Sequence, residues 1–399
     1  MKKICIIIPY QYPVPAVCGG AVETLVQFLI EENEKDPSFI FTVLGTYDRR
    51  LEDTDVSYRY TKFVYYEKCK YIDGVWWFVF RAIKKILHVY IPFAPRFVSI
   101  LGHLKREGSQ YDHVLFENGL TYMLPLVEKV YPRERILNHL HWPGDGNRRI
   151  DKSFGYLLPV SDFCAEEWKH ATGRQDDKIY VWRNCYDDSA LKKTMEDAEK
   201  EQLCKSLDIQ EKDKVLIYIG RMIPEKGVKE LLIALQKITQ EDLVLLLIGS
   251  SNFGLDKKTG FEREIQRIID RSKVKIIPLG FIPNDELYRY YSISTLAVMP
   301  TLIAESAGMV NIEAMASGVP LITTDIGAVK EYVGDAAVVI DIEEENFIER
   351  LAGAIDELLE DPEKRKELIQ SGIKKAEEYT RKKYFADLIT FFNVLDGNG

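Results

Sequence analysis

Residues 300–333, PTLIAESAGMVNIEAMASGVPLITTDIGAVKEYV, spell out a strand end, a loop, a short helix, a tight turn and a second strand. The apolar run 296–299 reads as the end of the first strand. Gly308 opens the helix, whose apolar positions are Val310, Ala314 and Met315. Gly318 closes it, because glycine tolerates the left-handed cap, and Pro320 forbids continuation. Residues 319–324 form the next strand, so the stretch is a unit of an α/β sheet. The amides of Gly308, Met309 and Val310 fall at the helix N-terminus, where unpaired N–H groups and the dipole favour an anion. Glu305 and Glu313 stand on either side, and ionised carboxylates accept hydrogen bonds from hydroxyls. An anion cradle between two carboxylates suits a sugar–diphosphate–ribose ligand. The same pattern also describes a plain capped helix with acids favoured near its start.

The sequence before this stretch repeats the α/β pattern. Residues 215–220 read as a strand, followed by Arg221, Lys226 and a helix over 228–238 with Leu231, Leu232 and Leu235 inward. Lys226 stands near a helix N-terminus, where the dipole disfavours a cation, and a bound anion would relieve that conflict. Arg221 directly follows a strand end, and its guanidinium fork suits two phosphate oxygens. A surface Arg and Lys would read the same way. Residues 243–249, ending in Gly249, and 275–279 are further strands, and Phe281 and Ile282 lead into a helix near Asn284. The charged run 187–214 reads as a linker plus a solvated helix.

In the first half, strands at 3–9, 39–44, 62–66, 113–116 and 135–139 alternate with helices. Gly19 and Gly20 lie between the first strand and a helix over 21–32, the usual ligand position in an open α/β sheet. They do not make a GxGxxG fingerprint, and a plain strand–helix turn fits as well. His139 and His141 end a strand and point the same way, which raises a metal pair, but no third ligand is evident nearby. Asp145 is a loop acid suited to a turn. A strand and N-capped helix follow at 155–171, then a strand at 178–183. Residues 76–90, WWFVFRAIKKILHVY, pattern as a basic amphipathic helix with tryptophans at one end. That fits a segment lying on an anionic membrane, or a core helix with a solvated basic face.

The chain has 399 residues, 46% hydrophobic and 29% charged, which is ordinary globular composition with room for two or three domains. A formal net charge of −9 argues against a general nucleic-acid binder. The six cysteines are scattered and form no CxxC pair, so neither a zinc site nor a disulfide framework is implied and a reduced, cytoplasmic setting is expected. The N-terminal apolar run is too short for a signal peptide, and no run reaches the ~18 residues of a membrane span.

The Glu-x7-Glu spacing from Glu305 to Glu313, followed by EAMASGVP, resembles the signature of the family-4 retaining nucleotide-sugar glycosyltransferases of glycosyltransferase group 1. GRMIPEKGVKELLIAL at 220–235 resembles the same family's diphosphate-binding motif. The resemblance implies a GT-B fold, with two Rossmann-like domains facing a cleft and a C-terminal helix crossing back to the first. It places an acceptor-side domain at 1–185 plus about 380–399, and a nucleotide-sugar-binding domain at 186–379. It further implies that Glu313 holds the donor ribose, that Glu305 and His141 approach the donor sugar, and that Arg221, Lys226 and the 308–310 amides face the diphosphate. Gly19 and Gly20 would face the donor phosphate, Phe281 and Ile282 would meet the base through backbone groups, and Gly249 would line the donor side.

The resemblance implies no cofactor and no metal; the nucleoside-diphosphate sugar is a substrate, UDP being the broadest expectation. A glycan or lipid-linked acceptor is implied, within bacterial capsule, exopolysaccharide or cell-envelope synthesis. Where the family has Glu-Pro-Phe-Gly, this chain has Glu305-Ser306-Ala307-Gly308, and an Asn-Gly turn is replaced by Asn184-Cys185. The loop departure leaves the sugar open. Three rivals stand beside this reading. One is a GT-A transferase holding a metal on Asp53-Thr54-Asp55, although that triplet lies in a charged turn. Another is an epimerase or phosphorylase on the same fold. The third is a non-catalytic sugar-nucleotide-binding partner protein.

Overall fold

The computed structural model describes residues 1–9, 11–54, 56–67, 95–117, 123–142, 148–175, 177–250, 259–343 and 345–397. The expected amphipathic helix at 76–90, Asp145 and Asp55 lie outside these residues. The chain divides into two compact units, Met1–Asn184 with Arg381–Gly399, and Cys185–Thr380.

The first unit holds a six-stranded sheet of β1 (Lys2–Ile7), β2 (Phe39–Thr46), β3 (Thr61–Tyr66), β4 (His113–Glu117), β5 (Ile136–Leu140) and β6 (Tyr156–Pro159), ordered β3-β2-β1-β4-β5-β6. All its pairings are parallel. The isoleucine-rich β1 is buried on both faces, as a central parallel strand covered by helices must be. Ser161 caps the helix Asp162–Thr172 by accepting from the Cys164 amide at 3.1 Å. The strand expected at 178–183 is instead an extended segment. It meets β6 at a single bridge, Leu157 to Ile179, with Tyr180 N donating to Leu157 O at 2.9 Å and Trp182 N to Pro159 O at 2.9 Å.

The C-terminal helix Arg381–Leu395 belongs to this first unit and packs on the helix Ala21–Lys35. Phe392 and Phe385 lie against Phe39. Arg381 pairs with Glu31 and Glu32 and sits over the Phe28 ring, with its guanidinium carbon 4.3 Å from the ring centre.

The second unit holds β7 (Lys214–Ile219), β8 (Leu243–Ile248), β9 (Lys275–Gly280), β10 (Leu296–Met299), β11 (Leu321–Thr324) and β12 (Val338–Ile340), ordered β12-β11-β10-β7-β8-β9 and again parallel. Interior β8, LVLLLI, is buried throughout, whereas edge strand β9 is half-buried. Pro278 sits in β9, where a missing N–H is tolerated. Leu231, Leu232 and Leu235 are buried as their spacing predicts.

Each sheet has the doubly wound order, so each reverses direction between its two central strands, β1/β4 and β7/β10. Loops leaving the carboxyl ends of such a pair bound a crevice, the usual ligand site of the fold.

Candidate functional site

In the second unit, the two loops at the reversal carry most of the residues singled out by sequence. The loop after β7 contains Arg221 and the turn Pro224–Lys226; the loop after β10 contains Thr301, Glu305 and Gly308. They are stitched together: Leu302 N donates to Glu225 O at 2.8 Å. Gly227 has φ +69°, and a Cβ there would lie 1.8 Å from the Pro300 carbonyl oxygen, so only glycine permits this approach. As a result Lys226 Nζ ion-pairs with Glu305 Oε1, which also accepts from Thr301 Oγ1 at 3.1 Å. The two charged side chains are 18% and 19% exposed, so the pair is reachable from solvent. Beneath it, the Tyr218 hydroxyl donates to Lys226 O at 3.2 Å. Burial, then the Glu305 charge, push this phenol well up, so it keeps its proton.

The dipole conflict expected at Lys226 is therefore already answered within the protein, by Glu305, rather than awaiting a bound anion. Glu305 is itself pinned, because its carbonyl accepts from Ala328 N at 2.8 Å and it bridges Gly327.

The helix Met309–Ala316 starts from Gly308 at φ +64°, with no side-chain cap on its first amides. Its buried positions are Asn311, Ile312, Ala314 and Met315. Val310, expected in the core, is only half-buried and Ile312 takes its place. The turn at Gly318 is as read, with φ +70° and its amide donating to Met315 O at 3.0 Å. Burial pushes the Glu313 carboxyl up to about 7, and the Asp187 charge adds to the rise. A ligand donating hydroxyl hydrogen bonds would favour its ionised form.

Arg221 is exposed and has no ion pair among the described residues. Phe281 and Ile282 follow β9, and Phe281 is 50% exposed. Gly249 follows β8; a Cβ there would meet the Gly220 carbonyl oxygen at 1.8 Å, which gives this glycine a packing reason.

In the first unit, Gly19 and Gly20 have φ +71° and +107°, and Gly20 caps the helix Ala21–Lys35 through its backbone. His141 leaves the end of β5 and is not alone. Glu117, the last residue of β4, lies opposite His139 in the sheet register. Its Oε2 is 2.8 Å from His139 Nδ1 and 2.8 Å from His141 Nε2. Glu117 and His139 are fully buried, and the His141 side chain is 9% exposed. Burial alone would push Glu117 up, but the two imidazoles hold it down at about 2. Burial and the neighbouring His139 push His141 down to about 4.

The third partner missing from the sequence reading is thus Glu117, overlooked because the strand was ended at residue 116. The available signal was an acid closing a buried strand, a costly position unless it is partnered. The three residues offer ligand atoms within 4.8 Å of one another. Each imidazole, however, spends its near nitrogen on the same carboxylate oxygen, at hydrogen-bond rather than metal–ligand distance. Asp53, of the alternative metal triplet, is exposed at the end of the turn Arg49–Asp53.

Paired doubly wound sheets with this C-terminal helix define the GT-B fold. The structure is similar to that of Anabaena Alr3699/HepE, solved in complex with UDP, with TM-score 0.73 and 16% identity over 99% of this chain and 100% of that one. The same protein solved with UDP-glucose gives TM-score 0.71. Residues 199–375 match the family model described as glycosyl transferases group 1. The chain is 27% identical over 177 residues to the uncharacterized glycosyltransferase MJ1607 of Methanocaldococcus jannaschii, covering 44% of each chain. It is also 24% identical over 383 residues to spore coat protein SA of Bacillus subtilis, covering 94% of each. Among the described residues no helix is long and apolar enough to cross a membrane.

Proposed function

We propose that this protein is a retaining glycosyltransferase of the family-4 type that moves a hexosyl group from a nucleoside-diphosphate sugar to an acceptor hydroxyl. The observation that carries the reading is the Lys226–Glu305 ion pair beside the Met309–Ala316 N-terminus at the reversal of the second sheet. Negative charge builds on the diphosphate as it leaves. Lys226, the exposed guanidinium of Arg221 and the 308–310 amides would stabilise it through preorganised donors. Those groups supply the positive charge without a metal, and we propose transfer that is metal-independent. Glu313 would accept from the ribose hydroxyls, and Glu305 and His141 would hold the sugar. UDP is the base we propose, supported by the UDP and UDP-glucose complexes of the similarly folded HepE. The acceptor would be a glycan or lipid-linked glycan of a bacterial capsule, exopolysaccharide or envelope. The enzyme would then work in the cytoplasm, with residues 76–90 touching an anionic membrane surface.

The test is the thermal midpoint of the purified protein with UDP-, GDP- and ADP-sugars, each with and without EDTA. A ligand that binds only the native state raises the midpoint by mass action. A shift confined to UDP-sugars and indifferent to EDTA is the expected result. A shift lost with EDTA would overturn the metal-independent part. No shift at millimolar donor would overturn the donor-binding reading itself. Retention is checked by the anomeric configuration of the product in a proton NMR spectrum.

A further inference from the structure

The cluster in the first unit has a feature that the proposed reaction does not use. A single carboxylate oxygen serves two imidazoles, and among the described residues these are its hydrogen-bond partners. An ionised carboxylate only accepts hydrogen bonds, so each nitrogen beside it must bring a proton. His139 therefore presents Nδ1–H and His141 presents Nε2–H. A neutral imidazole carries one proton, and whichever nitrogen the neighbour engages fixes the role of the other.

The ring of His139 cannot turn away. It stacks on Trp182 with centroids 4.2 Å apart, and Trp182 stacks on Tyr384 at 4.4 Å and 7° between planes. Trp182 Nε1 also donates to Tyr384 O at 2.9 Å, which anchors the stack to the C-terminal helix. The series runs from that helix through Trp182, His139 and Glu117 to His141, which alone of the three polar residues reaches solvent.

We propose that Glu117 is a positioning residue that locks His141 as the Nε2–H tautomer, so that Nδ1 presents a lone pair to a substrate hydroxyl. His141 is then a hydrogen-bond acceptor, not an anion-binding cation, and is suited to a sugar hydroxyl rather than a phosphate oxygen. This deepens the proposed function and rests on it for the identity of the hydroxyl.

The decisive measurement is the ring-nitrogen NMR of histidine-labelled wild-type protein near pH 7, with His141 assigned by loss of its signals in His141→Gln. The expected spectrum shows His141 neutral and protonated on Nε2. An imidazolium or an Nδ1–H tautomer would overturn the proposal. In Glu117→Leu no acceptor is left beside the ring, so the lock is lost and an Nδ1–H population of His141 appears. Turnover then falls about 10- to 100-fold, while UDP affinity, which belongs to the second unit, stays within about twofold. An unchanged nitrogen pattern with turnover within about twofold would sink the idea. Should Glu117→Leu fail to fold, the wild-type spectrum decides alone. A wild-type protein that binds no nucleotide sugar would end the proposed function, yet leave the tautomer measurement readable.

Discussion

The two units solve one problem, holding polar groups at the carboxyl ends of adjacent parallel strands, in opposite ways. In the second unit, Lys226 and Glu305 come from loops after neighbouring strands and stay about one-fifth exposed. In the first, Glu117 and His139 lie within the strands themselves and are fully buried. A partly exposed ion pair contributes little to stability and is free to exchange partners with a ligand. A buried carboxylate is different, because removing one of its donors leaves an uncompensated charge in the interior. The loop-borne pair of the second unit is the one able to exchange partners, and the strand-borne carboxylate of the first is the one its neighbours hold in place.

That contrast is broken most readily by variants with large expected effects. Lys226→Ala together with Arg221→Ala should lower kcat/KM by about 10²- to 10³-fold, the usual cost of losing charge-stabilising donors. The thermal midpoint should move by no more than about 2 °C. A collapse of the midpoint would mean that the pair is structural after all.

His139→Ala should do the reverse. It removes a buried ring and one donor to Glu117, for a loss of about 2–4 kcal/mol read by urea unfolding. A change under about 0.5 kcal/mol would erase the distinction between the units.

Glu313 sharpens the comparison through pH. Its folded value, about 7, lies above the ordinary 4.5, so the folded state binds the extra proton. Stability is therefore greatest below about 4.5 and is lost as pH rises through 7. Glu313→Gln should be more stable than wild type above pH 7, by at most about 3 kcal/mol, and should converge with it near pH 4.5. Because the ionised carboxylate is the better acceptor, wild-type UDP affinity should rise from pH 6 to 8. The variant should lose that slope and about 10-fold in affinity. Equal midpoints across the range would remove the buried-charge argument.

The smallest expected effect is a control. Lys200→Ala breaks an exposed i,i+3 pair with Asp197 in the second unit and should change stability by less than about 0.5 kcal/mol.

Legibility followed the same divide. The stretch 300–333 declared its strand, helix and turn because each depends on residues within a few positions: Gly318 needs φ +70° and Pro320 cannot continue a helix. The paired residues of the second site were each legible as chemistry, but their meeting was not. Lys226 and Glu305 are 79 positions apart, and only the placing of β10 beside β7 brings them together. Val310 was misplaced for a related reason. Periodicity gives a face, but which side of a short helix turns inward depends on the sheet beneath it. Glu117 was missed because a strand boundary is soft by a residue, and its partners come from the next strand.

By itself the sequence determined the α/β class, the anion-favouring helix start and the residue types able to meet a sugar nucleotide. These rest on local sterics, periodicity and the fixed chemistry of side chains. Only the tertiary structure decided that Glu305 pairs with Lys226, that burial of its carboxyl raises the proton affinity of Glu313, and that Glu117 engages two histidines at once. Strand order and burial are collective properties of the folded chain. Charge pairing and proton affinity depend on both, so no window of sequence contains them.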